Sequence, residues 1–351
     1  MTEMLAIRKV AAGYGHVSTT FVERPTAPLG DEVLVKVEAA GICGTDLLIY
    51  KWGEFAHRMR PPTTLGHEIG GIVAAVGPQV KRIQPGMHVS VESHLPCGNC
   101  YTCHRGWSHV CPNTRYPGVD FNGGFASEIL LPERVLWPIP NTIMLEQAAL
   151  MEPFGIAVHT SLEGLGVSGL NVLISGCGPI GLMNIASARA LGAAAIIASD
   201  VNGYRLDAAR KMGADHVINV AESDLIQSVS SVFGKHGVDV AIDYSANAGA
   251  LDAISEVMTP GGEIRLLGVA DGVVGVNLER WVLKGVVVRG IHGRRLFETW
   301  ERATELLASR RVDLTPLISH RLPLEAVNEG FELALKRDAL KILFKPGTSQ
   351  P

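Results

Sequence analysis

Apolar residues follow a strand-like pattern in the first part of the chain. Short apolar runs, the clearest at residues 32–40 and 67–76, alternate with polar positions and are separated by glycine and proline. A period of two predicts half-buried strands, and several short strands at this spacing predict a barrel-like, mainly β domain. No helical pattern longer than two turns is visible before about residue 144.

The pattern changes near residue 155, where continuous apolar runs begin to alternate with helical segments. Helices are predicted at residues 180–191 and 204–212, each after an apolar run. The six apolar runs lie at residues 172–175, 195–199, 216–219, 238–243, 264–268 and 286–291. Continuous apolar strands alternating with helices predict a doubly wound parallel sheet that is buried on both faces, and an α/β protein as a whole.

The last part of the chain fits neither pattern. It contains two predicted helices and two predicted strands, at residues 298–309, 317–322, 324–336 and 341–345. We assign this tail to the first domain. The expected domains are therefore residues 1–155 together with 294–351, and residues 156–293.

Composition narrows the class of protein. The chain has 351 residues, of which 47% are apolar and 19% charged, and this balance excludes a disordered protein. The net charge is −4 and no basic block occurs, so nucleic acid and anionic membranes are poor candidate partners. No apolar run reaches the roughly 18–20 residues of a membrane span, and the first residues lack a signal-peptide core. We therefore expect a cytoplasmic protein.

A glycine motif follows the first of the six apolar runs. Gly176, Gly178 and Gly181 form GCGPIG, which also contains Pro179 and Ile180. The first glycine permits a tight turn, the second a close approach of a pyrophosphate, and the third close packing of the helix. The following helix N-terminus offers unpaired N–H groups to phosphate. The motif predicts a dinucleotide site.

An acidic residue supports that interpretation. Asp200 ends the second run about 20 residues after the motif, where a carboxylate can accept hydrogen bonds from ribose hydroxyls. Because a carboxylate repels a 2′-phosphate, the sequence favours NAD over NADP. Arg205 lies close by, either as a ribose contact that opposes this preference or as a solvated helix charge.

Four of the six cysteines form a cluster. Cys97, Cys100, Cys103 and Cys111 follow the pattern C-x2-C-x2-C-x7-C within turn-forming residues. In a long cytosolic chain such spacing indicates a metal site instead of disulfides. Four thiolates give a closed tetrahedral structural zinc site, and an iron–sulfur cluster is the alternative.

Further candidate metal ligands lie in three other segments. Cys43 belongs to GICGTD before a helix-like stretch, His67 and Glu68 belong to LGHE, and Glu152 belongs to MEPF at the domain boundary. A helix N-terminus favours a thiolate at Cys43. Cysteine, histidine and carboxylate ligands are typical of catalytic zinc, which keeps one coordination position open.

These motifs, in this order, carry a family resemblance. GICGTD, GHE, the four cysteines, EPFGIAVHT, SGCGPIGLM and SDVNGYRLDAARKMGAD resemble the zinc-containing medium-chain dehydrogenases. GIHGRRLFETW and LISHRLPLEAVNEGFELA are similar to the L-threonine 3-dehydrogenases within that group. The resemblance covers nearly the whole chain. It implies a GroES-like catalytic domain, a Rossmann NAD-binding domain, catalytic and structural zinc, a small alcohol substrate and a homotetramer.

The resemblance also implies roles for individual residues. Cys43 and His67 would hold the catalytic zinc, completed by Glu68 or Glu152, and Thr45 would take the substrate proton. Other residues would line the nicotinamide or the substrate: Leu267, Gly268, Val269, Ile291 and His292 beside the nicotinamide, and His94, Glu152 and Arg294 beside the substrate.

One position departs from the pattern of the threonine dehydrogenases. Leu48 stands where that group normally has a histidine that passes the proton to solvent. The implied reaction is oxidation of L-threonine to 2-amino-3-oxobutanoate with NAD. Two alternatives remain open from the sequence: a polyol or sugar-alcohol dehydrogenase with the same motifs, and a non-catalytic NAD(H)-binding sensor. The complete ligand set argues against a sensor, which needs no open zinc.

Overall fold

The chain divides into two compact units. The computed structural model describes residues 2–270 and 272–347. The first unit comprises the described residues up to Pro153 and from Leu314 onward, and the second runs from Phe154 to Asp313. Each unit has its own sheet system, so each is described separately.

Most strands of the first unit are short and antiparallel, as the alternating pattern predicts. The strands and helices are β1 Glu3–Lys9, β2 Val17–Glu23, β3 Glu32–Gly41, α1 Gly44–Tyr50, β4 Thr63–Thr64, β5 Glu68–Val76, β6 His88–Val91, α2 Tyr101–His104, β7 Glu128–Pro132, β8 Leu136–Pro138 and α3 Leu145–Leu162, whose second half lies in the second unit. The tail adds β15 Ile318–Leu322, α10 Val327–Lys336 and β16 Lys341–Phe344. Within the described residues, one sheet has seven strands in the order β15-β16-β3-β5-β6-β8, with β7 paired to β3, and another has the order β2-β1-β4.

The core of the first unit is formed by the apolar residues that alternate with polar ones along each strand and lie on its inner face. In β3, Val33, Val35 and Val37 are buried, while Lys36 between them is exposed. These valines belong to one apolar cluster that also contains Phe344 of the tail. In the tail, β16 pairs with β15 in the parallel sense and with β3 in the antiparallel sense. These pairings place the last two described strands within the seven-stranded sheet.

The second unit is built on a parallel sheet. The elements are β9 Asn171–Ser175, α4 Pro179–Ala190, β10 Ala195–Asp200, α5 Gly203–Lys211, β11 His216–Asn219, α6 Leu225–Phe233, β12 Val238–Asp243, α7 Ala248–Val257, β13 Met258–Leu266, α8 Leu278–Lys284, β14 Val287–Gly290 and α9 Glu298–Ala308. The six described strands have the order β11-β10-β9-β12-β13-β14, and every neighbouring pair is parallel. The predicted doubly wound α/β architecture is confirmed. Strand order reverses between β9 and β12, and ligands bind such sheets at the carboxyl ends of the strands beside that point.

One domain boundary differs from the prediction. Residues 294–313 were expected in the first domain, but they lie in the second unit. Within this stretch, Trp300 is completely buried beneath the Arg294 guanidinium, and Arg311 donates a hydrogen bond to the carbonyl of Ala190 at the end of α4. The hydrogen bond of Arg311 joins the segment that follows α9 to α4 of the parallel-sheet unit. The sequence pattern of an amphipathic helix does not say which sheet the helix covers.

No described helix combines the length and the apolarity that crossing a membrane requires.

Candidate active site

The four clustered cysteines form a compact group of sulfur atoms. Cys100 Sγ lies 3.6 Å from Cys103 Sγ and 3.7 Å from Cys111 Sγ, and Cys111 Sγ lies 3.6 Å from Cys97 Sγ. None of these four cysteines forms a disulfide. Zn–S bonds of about 2.3 Å in a tetrahedron require S···S separations of about 3.8 Å, so the group fits one zinc ion. It leaves no room for several iron atoms with bridging sulfides.

Backbone groups prepare these thiols for a metal. The N–H of Asn99 donates to Cys97, and it is the main reason that the pKa of Cys97 is lowered to about 6. Backbone hydrogen bonding likewise lowers the pKa of Cys100, whereas burial raises the pKa of Cys103 to about 11. Because a metal binds the thiolate, the turns around the cluster favour the ligand form at two of the four positions.

A second group of potential ligands lies at the edge of the seven-stranded sheet. Cys43 caps the N-terminus of α1, His67 directly precedes β5, and Glu68 is the first residue of that strand. One ligand atom from each of these three side chains lies within 4.8 Å of the other two. The structure therefore brings Cys43 close to His67 and Glu68, which follow it by 24 and 25 positions and which the sequence analysis assigned to the same metal site. Three such ligands can hold an ion with one coordination position left open.

The charges around His67 suit a cation. Burial alone would lower the pKa of His67, but the neighbouring Cys43 thiol and the Asp46 carboxylate outweigh burial. Together with Glu152 they raise the pKa to about 10. The negative surroundings that favour a proton on this ring also favour a metal ion, which takes the place of the proton.

Glu68 has a partner that sequence analysis did not identify. The Lys341 ammonium contacts both carboxylate oxygens of Glu68, with Oε1 at 2.5 Å, and donates to the Ile42 carbonyl at 2.9 Å. Both members of this ion pair are buried. Burial raises the pKa of Glu68, and the Lys341 charge opposes that shift. A Cβ at Gly41 would collide with the Glu68 carboxylate, so the glycine makes room for the pair.

Glu152 stands outside the group of three ligands. Its Oε1 accepts a hydrogen bond of 2.6 Å from Ser93 Oγ, and its charge acts on both His67 and Glu68. His94, which the resemblance assigns to the substrate, follows Ser93 and is almost completely buried. Glu92 Oε1 lies 2.9 Å from His94 Nδ1. Sequence analysis missed Glu92 and Ser93, although both stand beside a candidate site residue at the end of a strand.

Two residues of α1 concern proton transfer. Thr45 Oγ1 lies 3.8 Å from Cys43 Sγ, which places the hydroxyl beside the ligand group. Leu48, one turn further along, is about half exposed and offers no proton acceptor. A role for Thr45 as the first proton carrier stays a prediction.

The glycine motif forms the turn between β9 and α4. Gly176 has a φ of +93°, a conformation that favours glycine, and Gly178 caps the helix with open space around an added Cβ. A Cβ at Gly181 would lie 3.1 Å from the Gly176 carbonyl carbon and closer still to its oxygen. The three glycines thus have the separate geometric properties that a dinucleotide turn needs, with Pro179 and Ile180 in the first turn of α4.

Asp200 lies beside this turn. Its Oδ2 accepts the Cys177 N–H at 2.7 Å and its Oδ1 accepts the Asn202 N–H at 2.9 Å. These bonds fix the carboxylate at the carboxyl end of β10, next to the glycine turn. Arg205 is half-buried in α5, and its Nε has no hydrogen-bond partner.

The other predicted cofactor residues follow β13 and β14. Leu267 and Gly268 donate backbone hydrogen bonds of 3.0 and 3.1 Å to the Asp243 carbonyl, and Val269 is 91% exposed. Ile291 and His292 directly follow β14. Since the strands are parallel, all these residues lie at the same carboxyl edge as the glycine turn.

Arg294 belongs to the second unit, and its side chain is completely buried. Its guanidinium lies 5.7 Å from the Trp300 ring centroid, and its side chain covers Gly155, where a Cβ would approach Cγ to 3.0 Å. A carboxylate-binding role for Arg294 stays a prediction, and it requires a carboxylate that enters a buried position.

Comparisons with known proteins agree with this geometry. Family models match residues 30–141 as an alcohol dehydrogenase GroES-like domain and residues 179–309 as a zinc-binding dehydrogenase. An L-threonine 3-dehydrogenase of Pyrococcus horikoshii is 42% identical over 345 residues, which cover 97% of this chain and 98% of that protein.

The chain belongs to the zinc-containing medium-chain dehydrogenases. Two solved structures of this type show the fold in full. A zinc-binding dehydrogenase from Sinorhizobium meliloti bound to NADP has 30% identity, a TM-score of 0.91 and coverage of 99% of this chain and 100% of its own. Galactitol-1-phosphate dehydrogenase from Escherichia coli has 28% identity, a TM-score of 0.90 and coverage of 98% and 100%.

As a medium-chain dehydrogenase, the protein is an oxidoreductase that depends on zinc and a nicotinamide dinucleotide. The two predicted metal groups and the glycine turn are the places where its own residues fit these cofactors. The sensor alternative is therefore not favoured.

Proposed function

We propose that this dehydrogenase oxidises L-threonine at C3 to 2-amino-3-oxobutanoate, with NAD as the hydride acceptor. The principal support is likeness to L-threonine 3-dehydrogenases along the whole chain, not only in the shared zinc and cofactor motifs. The reaction removes a hydride from C3 and a proton from the hydroxyl group, and yields NADH.

The chain would hold its two cofactors at separate groups of side chains. Cys43, His67 and Glu68 would bind the catalytic zinc, with Glu152 beside them, and the four cysteines would bind the structural one. When bound, zinc acidifies an alcohol by stabilising its negative charge, and nicotinamide accepts the hydride. Thr45 Oγ1, which lies 3.8 Å from Cys43 Sγ, would accept the hydroxyl proton. The contribution of the protein is to hold the carbinol carbon in reacting geometry.

Asp200 would select NAD over NADP. Its carboxylate is held by two backbone N–H groups at the carboxyl end of β10, where it can accept from ribose hydroxyls. A 2′-phosphate in the same place would meet a like charge. The Sinorhizobium meliloti relative is bound to NADP, and Arg205 is the residue of this chain that could pair with such a phosphate.

Threonine brings two charges that the pocket must match, because an unpaired charge is costly to remove from water. Arg294 would bind the carboxylate as a bidentate fork, and Glu152 or His94 would receive the ammonium. Since Arg294 also packs on Trp300, Arg294→Lys is the appropriate variant. It keeps the charge but loses the fork, so KM for threonine should rise while KM for a neutral secondary alcohol changes little.

A polyol is the second candidate substrate, supported by Leu48, which replaces the relay histidine of the threonine dehydrogenase pattern, and by the likeness to galactitol-1-phosphate dehydrogenase. The deciding experiment compares initial rates of NADH formation with L-threonine, polyols and simple secondary alcohols. We expect the highest kcat/KM with L-threonine. NADH formation from an uncharged polyol and none from threonine would reject the threonine assignment in favour of the polyol one. No alcohol-dependent NADH at all would support the sensor.

We further propose a cytoplasmic homotetramer. Six cysteines without disulfides suit a reducing compartment. Among the described strands, β14 forms an edge of the six-stranded sheet, and Val287, with Leu278, Val282 and Leu283 of α8, is exposed. Such an edge is suited to pairing with another copy. Light scattering during gel filtration should give the mass of four chains, and a monomeric mass would reject this assembly.

A further inference from the structure

A carboxylate holds the loop that follows β12. Asp243 is the last residue of this strand and is almost completely buried. Its Oδ1 accepts two hydrogen bonds from Ser245, one from Oγ at 2.6 Å and one from the backbone N–H at 3.2 Å. Its Oδ2 accepts the Ala246 N–H at 2.9 Å. Both oxygens of Asp243 thus bond to the loop at residues 244–247.

This loop has a conformation that needs such support. Ala246 has a φ of +53°, which is unfavourable for a residue with a Cβ atom because the Cβ then lies too close to the backbone. Ser245 and Asn247, on either side of it, are exposed, so little apolar burial offsets that cost. The hydrogen bonds of Asp243 therefore stabilise the loop in this conformation.

Two glycines on neighbouring strands leave room for the loop. A Cβ at Gly176, in the glycine turn after β9, would lie 3.2 Å from the Ser245 nitrogen. A Cβ at Gly268, after β13, would lie 2.6 Å from the Ala246 nitrogen and 2.8 Å from the Ala246 Cβ. The two residues that Asp243 holds are therefore the same two that pack against these glycines.

The loop lies at the point where strand order reverses. The glycine turn follows β9 and the loop follows β12, and these two strands are neighbours in the parallel sheet. In a doubly wound sheet, a ligand binds in the crevice at the carboxyl ends of two such strands. The glycine turn thus forms one side of that crevice, and the loop at residues 244–247 forms the other.

We propose that Asp243 is a positioning residue of the dinucleotide site, which holds the loop at residues 244–247 against the glycine turn and thereby fixes the width of the crevice that receives the pyrophosphate. Its role is indirect, because its oxygens bond to Ser245 and Ala246 and a carboxylate in contact with a phosphate would repel it. The proposal rests on the assignment of the glycine turn to a dinucleotide and does not depend on the alcohol substrate.

The zinc-loaded Asp243→Asn enzyme tests this role. The amide has one acceptor oxygen, so the N–H of either Ser245 or Ala246 then faces an NH2 group instead of an acceptor. The Kd for NADH, measured by fluorescence titration well below Tm, should rise by about tenfold. The Kd for ADP should rise by a similar factor, because ADP carries a pyrophosphate but no nicotinamide. A rise confined to NADH would assign the loop to the nicotinamide half and overturn the proposal.

Asp239→Asn is the matched control. Asp239 lies near the opposite end of β12, and its Oδ2 also accepts a backbone N–H, that of Asn171 at 2.8 Å. This variant should have a lower Tm and an unchanged Kd for NADH, because it loosens the amino edge of the sheet and not the carboxyl edge. An equal rise of Kd in both variants, or a lower Tm with unchanged Kd in Asp243→Asn, would overturn the positioning role.

Ala246→Gly, added to Asp243→Asn, separates positioning from stability. Glycine adopts a positive φ without strain, so the loop of the double variant needs less support from residue 243. The double variant should bind NADH about threefold more tightly than Asp243→Asn. Its Tm should not rise, since glycine also increases the freedom of the unfolded chain. Equal Kd values in the two variants would contradict control of binding by the loop conformation.

Ser245→Ala keeps the proposal testable even where Asp243→Asn does not fold. This change at an exposed residue removes the 2.6 Å bond to Asp243 and leaves the backbone bonds of the loop in place. The Kd for NADH should rise by about threefold, and wild-type affinity would overturn the proposal.

Gly178→Ala distinguishes failure of the proposal from failure of the site assignment. If this variant binds NADH as tightly as the wild type, the glycine turn does not hold the pyrophosphate, and both the assignment and the role of Asp243 fail. If Gly178→Ala weakens NADH binding and Asp243→Asn does not, only the role of Asp243 fails.

Discussion

Two glycines of the dinucleotide turn should respond differently to the same added methyl group. At Gly181, a Cβ would lie 3.1 Å from the Gly176 carbonyl carbon and still closer to its oxygen, and both atoms belong to the backbone. Overpacking against rigid backbone costs up to about 3 kcal/mol, and the better helix propensity of alanine returns about 1 kcal/mol. Gly181→Ala should therefore lose about 2 kcal/mol of unfolding free energy, or roughly 4–8 °C in Tm.

At Gly178, an added Cβ has no heavy atom within 4 Å, and the backbone φ of −65° suits any residue. Gly178→Ala should change stability by less than about 1 kcal/mol, the usual effect of alanine at a helix N-cap. The methyl group would instead occupy the space into which the pyrophosphate fits. We expect the Kd for NADH to rise by about tenfold or more, equivalent to about 1.4 kcal/mol.

Thermal unfolding with and without NADH measures both effects. At an NADH concentration 100 times the wild-type Kd, binding stabilises the wild type by about 2.7 kcal/mol and a variant with tenfold weaker binding by about 1.4 kcal/mol. Wild-type NADH affinity in Gly178→Ala would refute the assignment of this turn to the pyrophosphate. A wild-type Tm in Gly181→Ala would refute the close packing between the turn and α4.

Three further predictions concern the cofactor, the metals and an ion pair. The unmodified enzyme should show a higher kcat/KM with NAD than with NADP, because a carboxylate and a phosphate about 4 Å apart repel by about 1–4 kcal/mol. Asp200→Gly should reduce the ratio of kcat/KM for NAD to kcat/KM for NADP. Equal kcat/KM for the two cofactors in the unmodified enzyme would contradict the role of Asp200. Elemental analysis should find about two zinc ions per chain in the unmodified protein and about one in Cys100→Ser, and this variant should have a lower Tm. Iron in place of zinc would contradict the assignment of structural zinc to the four cysteines. The hydrogen bond from Arg321 lowers the pKa of Glu146, so the pair stabilises the fold above the ordinary glutamate pKa and ceases to do so as pH falls through the lowered value. Urea unfolding of Glu146→Gln should therefore show a loss of at most about 1 kcal/mol near neutral pH, since Arg321 is partly exposed. The loss should become smaller as the pH falls through the lowered pKa of Glu146, and a loss that does not depend on pH would point to packing instead.

The fold could be predicted from sequence largely because its elements have regular periods. The runs at residues 172–175 and 195–199 correspond to β9 and β10, and the predicted helix at 180–191 corresponds to α4 within a residue at each end. The helix predicted at 324–336 begins instead with a 3-10 turn and becomes α-helical at Val327. Assignment of α9 to a unit failed because periodicity gives the apolar face of a helix but not the surface against which it packs.

The site could be predicted only where residues form a motif. Regular spacing marks the four cysteines, and short motifs mark Cys43 and His67. No motif identifies Lys341, because it lies in the last described strand and contacts Glu68 only as a result of the pairing between β16 and β3. Glu92 contacts His94 from the end of β6, and nothing in the surrounding sequence distinguishes it from an ordinary acidic residue at the end of a strand.

The central claim is hydride transfer from C3 of L-threonine to NAD. Its most direct test uses L-threonine carrying deuterium at C3, with mass spectrometry of the reduced cofactor and of the product. The proposed reaction predicts NADH that carries one deuterium, formed together with 2-amino-3-oxobutanoate that has lost it. Unlabelled NADH, or no reduction of the cofactor by threonine under conditions in which another alcohol reduces it, would contradict the claim.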